Sequence, residues 1–167
     1  MILIEELTGV ECVNCPQGAA KLEELNAQNG NALVTVSLHA GSLTNPIDKD
    51  GFVSAQNFQT DDGIQLLNTI FNGQGNKPSI AVNRLPLGSA TNKYFVENYY
   101  QNWSPAIDQA KTTDAVVPVN VYVNSTFNTG KNQYDIEAKV VYNQAMTGQQ
   151  ALNIFLTDTA LIDGEET

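Results

Sequence analysis

Cys12-Val13-Asn14-Cys15, followed by Pro16, contains the only two cysteines of this 167-residue chain, and their spacing limits what they can do. A disulfide across two intervening residues closes so small a loop that it restricts the unfolded chain little, so a structural staple is a poor explanation. Working thiols explain the pair better. Pro16 suits the first turn of a helix, and Ala19, Ala20, Leu22 and Leu25 recur beyond it at helical spacing, with Lys21, Glu23 and Glu24 between them. A helix is therefore predicted whose first turn carries both thiols. The unpaired N–H groups and positive dipole end of a helix stabilise an anion. A cysteine of ordinary pKa near ~8.5 can fall there to roughly 3.5–7.5 and present the thiolate that attacks disulfides. The pair could equally rest as an inert disulfide or idle thiols in a redox-type scaffold. Zinc is a third reading. It normally takes four ligands, so a site would need Cys12, Cys15, His39 and a carboxylate, and no second Cys-x-x-Cys supports it. No other cofactor is called for.

Two more groups are candidates for proton work. Residues 2–7 carry apolar side chains on both faces, as in a strand covered on both sides of a sheet, and Glu6 interrupts that pattern. A buried acid beside a disulfide could pass a proton to or from the second sulfur. The alternative is that the strand ends by Glu5 and both acids are wet. His39 follows the β-branched run of residues 32–38, the next predicted strand. A strand–helix–strand series of this length implies a parallel pair with a right-handed crossover, and the carboxyl edge of such a sheet would hold both His39 and Cys12. The imidazole could stabilise a thiolate or relay a proton, or be satisfied by loop backbone.

The remaining elements must frame that edge. Gly30 is a reasonable stop for the first helix. Residues 40–59 read as a long polar loop with Gly41, Pro46 and Gly51, anchored by Phe52 and Phe58, of a length that suits a lid over the thiols. Thr60-Asp61-Asp62 reads as a capped helix start, with Ile64, Leu67 and Phe71 on one face, Leu66 and Ile70 widening it, and Gly73 ending it. Pro78 opens a short strand over 78–83, where its missing N–H costs least. Pro86 and Gly88 mark a turn, and Tyr94, Phe95, Tyr99 and Tyr100 add aromatic bulk. Ser104-Pro105 reads as the cap and first turn of a helix through Ala106, Ile107 and Ala110, with Trp103 before it as packing or as a substrate contact.

Beyond Asp114 the period changes to two: Val119, Val121 and Val123, then Ile136, Ala138, Val140 and Tyr142, then Leu152, Ile154 and Leu156. Three strands are predicted, about half of an immunoglobulin-sized sandwich, with Asp163-Gly164-Glu165-Glu166-Thr167 where another strand would be expected. That unit is expected to be truncated and to leave an apolar face or an open edge for a partner. The formal charge of -10, from 18 acidic and 8 basic residues, comes without any Lys/Arg cluster, which argues against a nucleic-acid partner. No apolar run approaches the ~18–20 residues of a membrane span.

Taken together, residues 1–112 resemble a thioredoxin-fold domain: a strand before the Cys-x-x-Cys, an acid at Glu6, and a proline opening a later strand. The resemblance implies a mixed sheet with flanking helices, Cys12 as the exposed nucleophile, Cys15 as the buried resolving thiol, and Pro78 as a cis-proline facing the disulfide. Val13-Asn14 between the cysteines, the absence of a preceding tryptophan, and Lys77 in place of the usual Thr depart from the thioredoxin pattern. Glu5-Glu6-Leu7-Thr8-Gly9, Cys12-Val13-Asn14-Cys15-Pro16, Leu38-His39-Ala40-Gly41 and Val82-Asn83-Arg84 are similar to the outer-membrane protein 28-related family of bacterial envelope proteins. That family joins a thioredoxin-like domain to a longer β domain, here an immunoglobulin-like unit over 117–167. Membership would imply export to the periplasm, outer membrane or cell surface, with membrane association only through a lipid anchor outside these residues. Two functions follow from the resemblance. One is disulfide exchange on envelope proteins through Cys12 and Cys15. The other is a non-catalytic, adhesin-like surface protein that binds a protein or glycan.

Overall fold

The computed structural model describes residues 1–30, 32–49, 51–73, 76–86, 99–113 and 118–158, except for the side chains of Lys49 and Phe52. Tyr94, Phe95, Gly88 and the 163–167 run therefore lie outside the described residues, as does the anchoring role expected of Phe52. Two compact units are formed, one built on Met1–Thr113 and the other on Asp114–Leu156.

The first unit is a mixed α/β arrangement around strand β1 (Ile2–Thr8). β1 pairs in parallel with β2 (Leu33–His39), from Ile2 opposite Leu33 to Thr8 opposite His39. It pairs antiparallel with β5 (Ser79–Val82), giving the order β2-β1-β5. Between β1 and β2 runs helix α1 (Cys15–Asn29), which supplies the crossover that a parallel pair requires.

Alternation along β1 divides the core between the two faces of the sheet. Ile2 and Ile4, with Leu33, Ile80 and Val82, meet Leu22 and Leu25 of α1 and the inner face of helix α3 (Trp103–Thr113). Leu7, Leu38 and Ala81 meet Leu67 and Phe71 at helix α2 (Asp61–Thr69). Burying a leucine or isoleucine side chain in such layers contributes about 1.5–3 kcal/mol. That is the driving force which fixes the register of β1.

Thr60 caps α2 by accepting the Gly63 N–H at 3.0 Å, and Gly73, at φ 69°, follows the helix in the left-handed region. The buried line of α2 is Gly63–Leu67, extended past its end by Phe71, so Ile64, expected in the core, sits a quarter-turn away and is 36% exposed. α3 begins at Trp103, two residues before the Pro105 start that a Ser104 cap predicts, because a 3₁₀ turn at Tyr100–Asn102 runs directly into it. Trp103 is fully buried, which makes it packing and rules out the substrate contact.

The expected loop over 40–59 is not irregular throughout. It carries a small antiparallel hairpin, β3 (Ile47–Lys49) with β4 (Phe52–Ser54), ahead of which Thr44 is buried and donates its hydroxyl to the Gly41 carbonyl at 2.7 Å. Asp50-Gly51 is a strong hairpin signal, and Gly51 takes the positive φ of 85° that such turns need.

The second unit is a single antiparallel ribbon, β6 (Val119–Asn128) with β7 (Gln133–Tyr142). Its register puts Val121, Val123 and Phe127 on one face with Tyr134, Ile136 and Val140, and the Phe127 and Tyr134 rings lie 4.8 Å apart. The third predicted strand is not formed: Leu152, Ile154 and Leu156 lie in irregular chain and are 52%, 55% and 71% exposed. A period of two states which residues would share a face, but not which edge would pair with them.

Candidate functional site

The turn between β1 and α1 places the sulfurs. The Cys12 N–H bonds back to the Gly9 carbonyl at 3.1 Å, and the Cys15 N–H to the Cys12 carbonyl at 2.9 Å. The Glu11 N–H bonds to the Leu43 carbonyl at 3.1 Å, which pins this turn to the loop after β2. A Cβ at Gly9 would collide with that same carbonyl, so only glycine allows the approach.

Cys12 and Cys15 form a disulfide, with their Cα atoms 5.3 Å apart. α1 begins at Cys15, so its first turn carries one sulfur, and Cys12 stands in the turn ahead of it. The thioredoxin resemblance made Cys12 exposed; instead Cys12 is 3% and Cys15 5% exposed. The reason is the folded-back turn, with Val10 buried beside it and the Leu43 segment closed onto it.

A cavity of about 110 Å³ adjoins both sulfurs. Its α1 side is made by Cys15, Pro16 and Ala19, and its sheet side by Glu6, Thr8, Ser37 and His39. The sheet side follows from register: Glu6 lies opposite Ser37 and Thr8 opposite His39, all four on the face that α1 covers. The strand therefore does not end at Glu5, and neither acid is wet. Both are 3% exposed, which overturns the solvent-facing alternative.

The two acids have separate fates. Glu5, on the opposite face, is gripped by Arg84 through Nε at 2.8 Å and Nη2 at 2.6 Å. That hydrogen bond raises the Arg84 guanidinium further above its ordinary value. Glu6 points into the cavity and accepts the Ser37 hydroxyl at 2.7 Å. Ser37 was not legible as a site residue, because only strand pairing places it beside Glu6.

His39 shares the cavity with the disulfide, as its edge position predicted. Its Nδ1 is buried without a hydrogen-bond partner, so loop backbone does not satisfy that atom, and its ring lies 5.2 Å from Phe58. Burial first, and then the nearby charge of Lys77, hold His39 below its ordinary value of 6.5. Lys77 is itself buried, donates to the Ala40 carbonyl at 2.9 Å, and is pushed down by desolvation.

The Lys77–Pro78 peptide is cis. Leu7 pairs with Ser79, so Pro78 reaches the same sheet edge as the cysteines. A Cβ at Gly18 would lie 2.8 Å from Pro78 Cβ and 3.1 Å from the Trp103 ring, so a bare backbone on α1 lets the proline close onto the helix that starts at Cys15. Tyr100 steadies the same helix by donating its hydroxyl to Gln17 Oε1 at 2.9 Å.

Among the described residues no three His, Cys, Asp or Glu side chains are grouped to hold a metal ion, and no helix is long and apolar enough to cross a membrane. No family model matches the chain, and no curated protein does. Among solved structures it is similar to protein AGR_C_4864 from Agrobacterium tumefaciens, at 16% identity and a TM-score of 0.50, over 77% of this chain and 52% of that one. The chain thus spans about half the length of that neighbour, and the likeness is one of fold.

Proposed function

We propose that the first unit is a thioredoxin-like domain and that Cys12 and Cys15 exchange disulfides with envelope or surface proteins. The observation that carries this reading is the disulfide at the start of α1 sharing one cavity with Glu6, Ser37 and His39. In the reduced protein the Cys12 thiolate attacks a substrate disulfide, forming a mixed disulfide and releasing one substrate thiolate. Cys15 then gives up its proton and attacks Cys12 in that mixed disulfide. The second substrate thiolate leaves, the substrate has gained two electrons, and the Cys12–Cys15 bond is restored. Glu6 and His39 carry the protons, and Pro78 with the 40–59 segment positions an extended substrate chain.

Membership in the outer-membrane protein 28-related family, export to the periplasm, outer membrane or cell surface, and an immunoglobulin-like second domain built on the β6–β7 ribbon belong to the same proposal. Turnover of a model disulfide by the reduced protein, compared with Cys12→Ser, tests the exchange. Loss of turnover in the variant is expected, and equal rates would end the proposal.

One observation favours the second reading, a binding or adhesin-like module for a protein or glycan in which the disulfide is a fixed part of the scaffold. Cys12, at 3% exposed, is poorly placed to be reached from solution. Labelling free thiols across a series of redox buffers separates the two. Titration near the compartment's potential supports exchange, since about 30 mV corresponds to roughly 1.4 kcal/mol for a two-electron couple. A disulfide that resists reduction throughout supports the scaffold.

A further inference from the structure

On the sheet side of the cavity the Ser37 hydroxyl is committed to another cavity residue: it donates to Glu6 Oε2 at 2.7 Å across the β1–β2 pair. A hydroxyl aimed at one carboxylate oxygen does two things. It selects one rotamer of Glu6, and it favours the ionised form, because the donated hydrogen bond is stronger to a carboxylate than to the neutral acid.

We propose that Ser37 is a positioning residue for thiol–disulfide exchange at this site, holding Glu6 ionised and aimed into the cavity so that it can accept the proton released when the Cys15 thiol attacks a mixed disulfide. This rests on the exchange reading above. In that step the Cys15 S–H bond breaks and its proton passes to Glu6. The Cys15–Cys12 S–S bond forms, and the bond from Cys12 to the substrate sulfur breaks as the substrate thiolate leaves. When the disulfide is next reduced by a dithiol partner, Glu6 returns the proton to the departing sulfur. The dithiol is oxidised and the Cys12–Cys15 bond is reduced.

Apolar groups make up part of the surroundings of Glu6. From β5 the residue opposite Glu6 is the apolar Ile80, and α1 contributes Cys15, Pro16 and Ala19 to the cavity, with Cys12 in the turn ahead of it. His39 is a titratable neighbour on the sheet side, and burial first, then the nearby charge of Lys77, disfavours its charged form. Ser37 thus adds, by hydrogen bonding, a bias toward the ionised form of Glu6.

The test is the pH dependence of single-turnover oxidation of the reduced protein by excess oxidised glutathione, for wild type, Ser37→Ala and Ser37→Thr. Ser37→Ala is expected to move the acid limb of the profile up by about one pH unit, a roughly tenfold slower rate at a fixed pH on that limb, and to converge with wild type on the alkaline plateau. Ser37→Thr keeps the hydroxyl and is expected to restore the wild-type limb. A superimposable Ser37→Ala profile, or one lowered equally at every pH, would overturn the inference, the latter because a purely structural loss has no reason to shift a limb.

A second measurement separates this failure from failure of the exchange reading. The protonation of Glu6 in the oxidised protein, followed by infrared difference against Glu6→Gln, requires no turnover. An upward shift in Ser37→Ala that Ser37→Thr reverses supports the positioning role even if glutathione is not turned over. No shift refutes it even if exchange is fast.

Discussion

Arg84→Met removes the guanidinium that binds Glu5 at 2.6 and 2.8 Å, and leaves a carboxylate that is 3% exposed on the α2 side of β1. Breaking a fully buried pair this way costs about 3–5 kcal/mol, because the remaining charge keeps its desolvation penalty without its partner. Arg84 is 26% exposed at its side chain, so water can reach part of the vacated space, and a loss of about 2–3 kcal/mol is expected. The assay is urea unfolding followed by tryptophan fluorescence. Trp103 is the only tryptophan and lies in the core of the first unit, so its signal reports that unit without assuming that both unfold together.

The pair is then removed whole. Glu5→Leu with Arg84→Met places two apolar side chains where the ions met, and most of the lost stability is expected to return. A loss below about 1 kcal/mol in Arg84→Met would mean that Glu5 finds water or another donor, and that the pair is an exposed one in energetic terms. A double variant no more stable than Arg84→Met would show that the damage lies in the left-handed turn at Asn83 and Arg84 (φ 48° and 52°) and not in the charge.

Two further outcomes follow from the site. His39 is held below 6.5 by burial and by Lys77, so just below that pH the unfolded chain binds a proton that the native state refuses; stability is full above about 6.5 and falls as pH drops, and His39→Gln should flatten that slope above the carboxylate range, an unchanged slope placing the proton elsewhere. Gly18→Val pushes carbon into Pro78 and Trp103, which already stand 2.8 and 3.1 Å from a bare Cβ, and should cost about 1–3 kcal/mol by the same fluorescence assay while slowing glutathione turnover; undiminished stability would mean that Pro78 is free to retreat.

Local chemistry alone carried a good part of this protein. The run into Cys12 and Cys15, the Pro16 helix start, the Gly30 stop, the Thr60 cap and the period-two alternation of β6 and β7 are each decided within a few residues, where capping geometry and side-chain period act. Contacts distant in sequence were beyond such reasoning. Glu5 and Glu6 are neighbours of one type, yet one is held by Arg84 and the other by Ser37, because a strand turns successive side chains to opposite faces and each face meets a different part of the chain. Cys12 is buried in a turn that is bonded to the Leu43 segment after β2, a contact between parts of the chain some thirty residues apart. Leu152, Ile154 and Leu156 carry the alternation of a strand and form none, since a strand exists only where an edge supplies its hydrogen bonds. The thiols and their helix were thus written locally, whereas the acid beside them, the hydroxyl that holds it and the depth at which they lie were settled by pairing across the sheet.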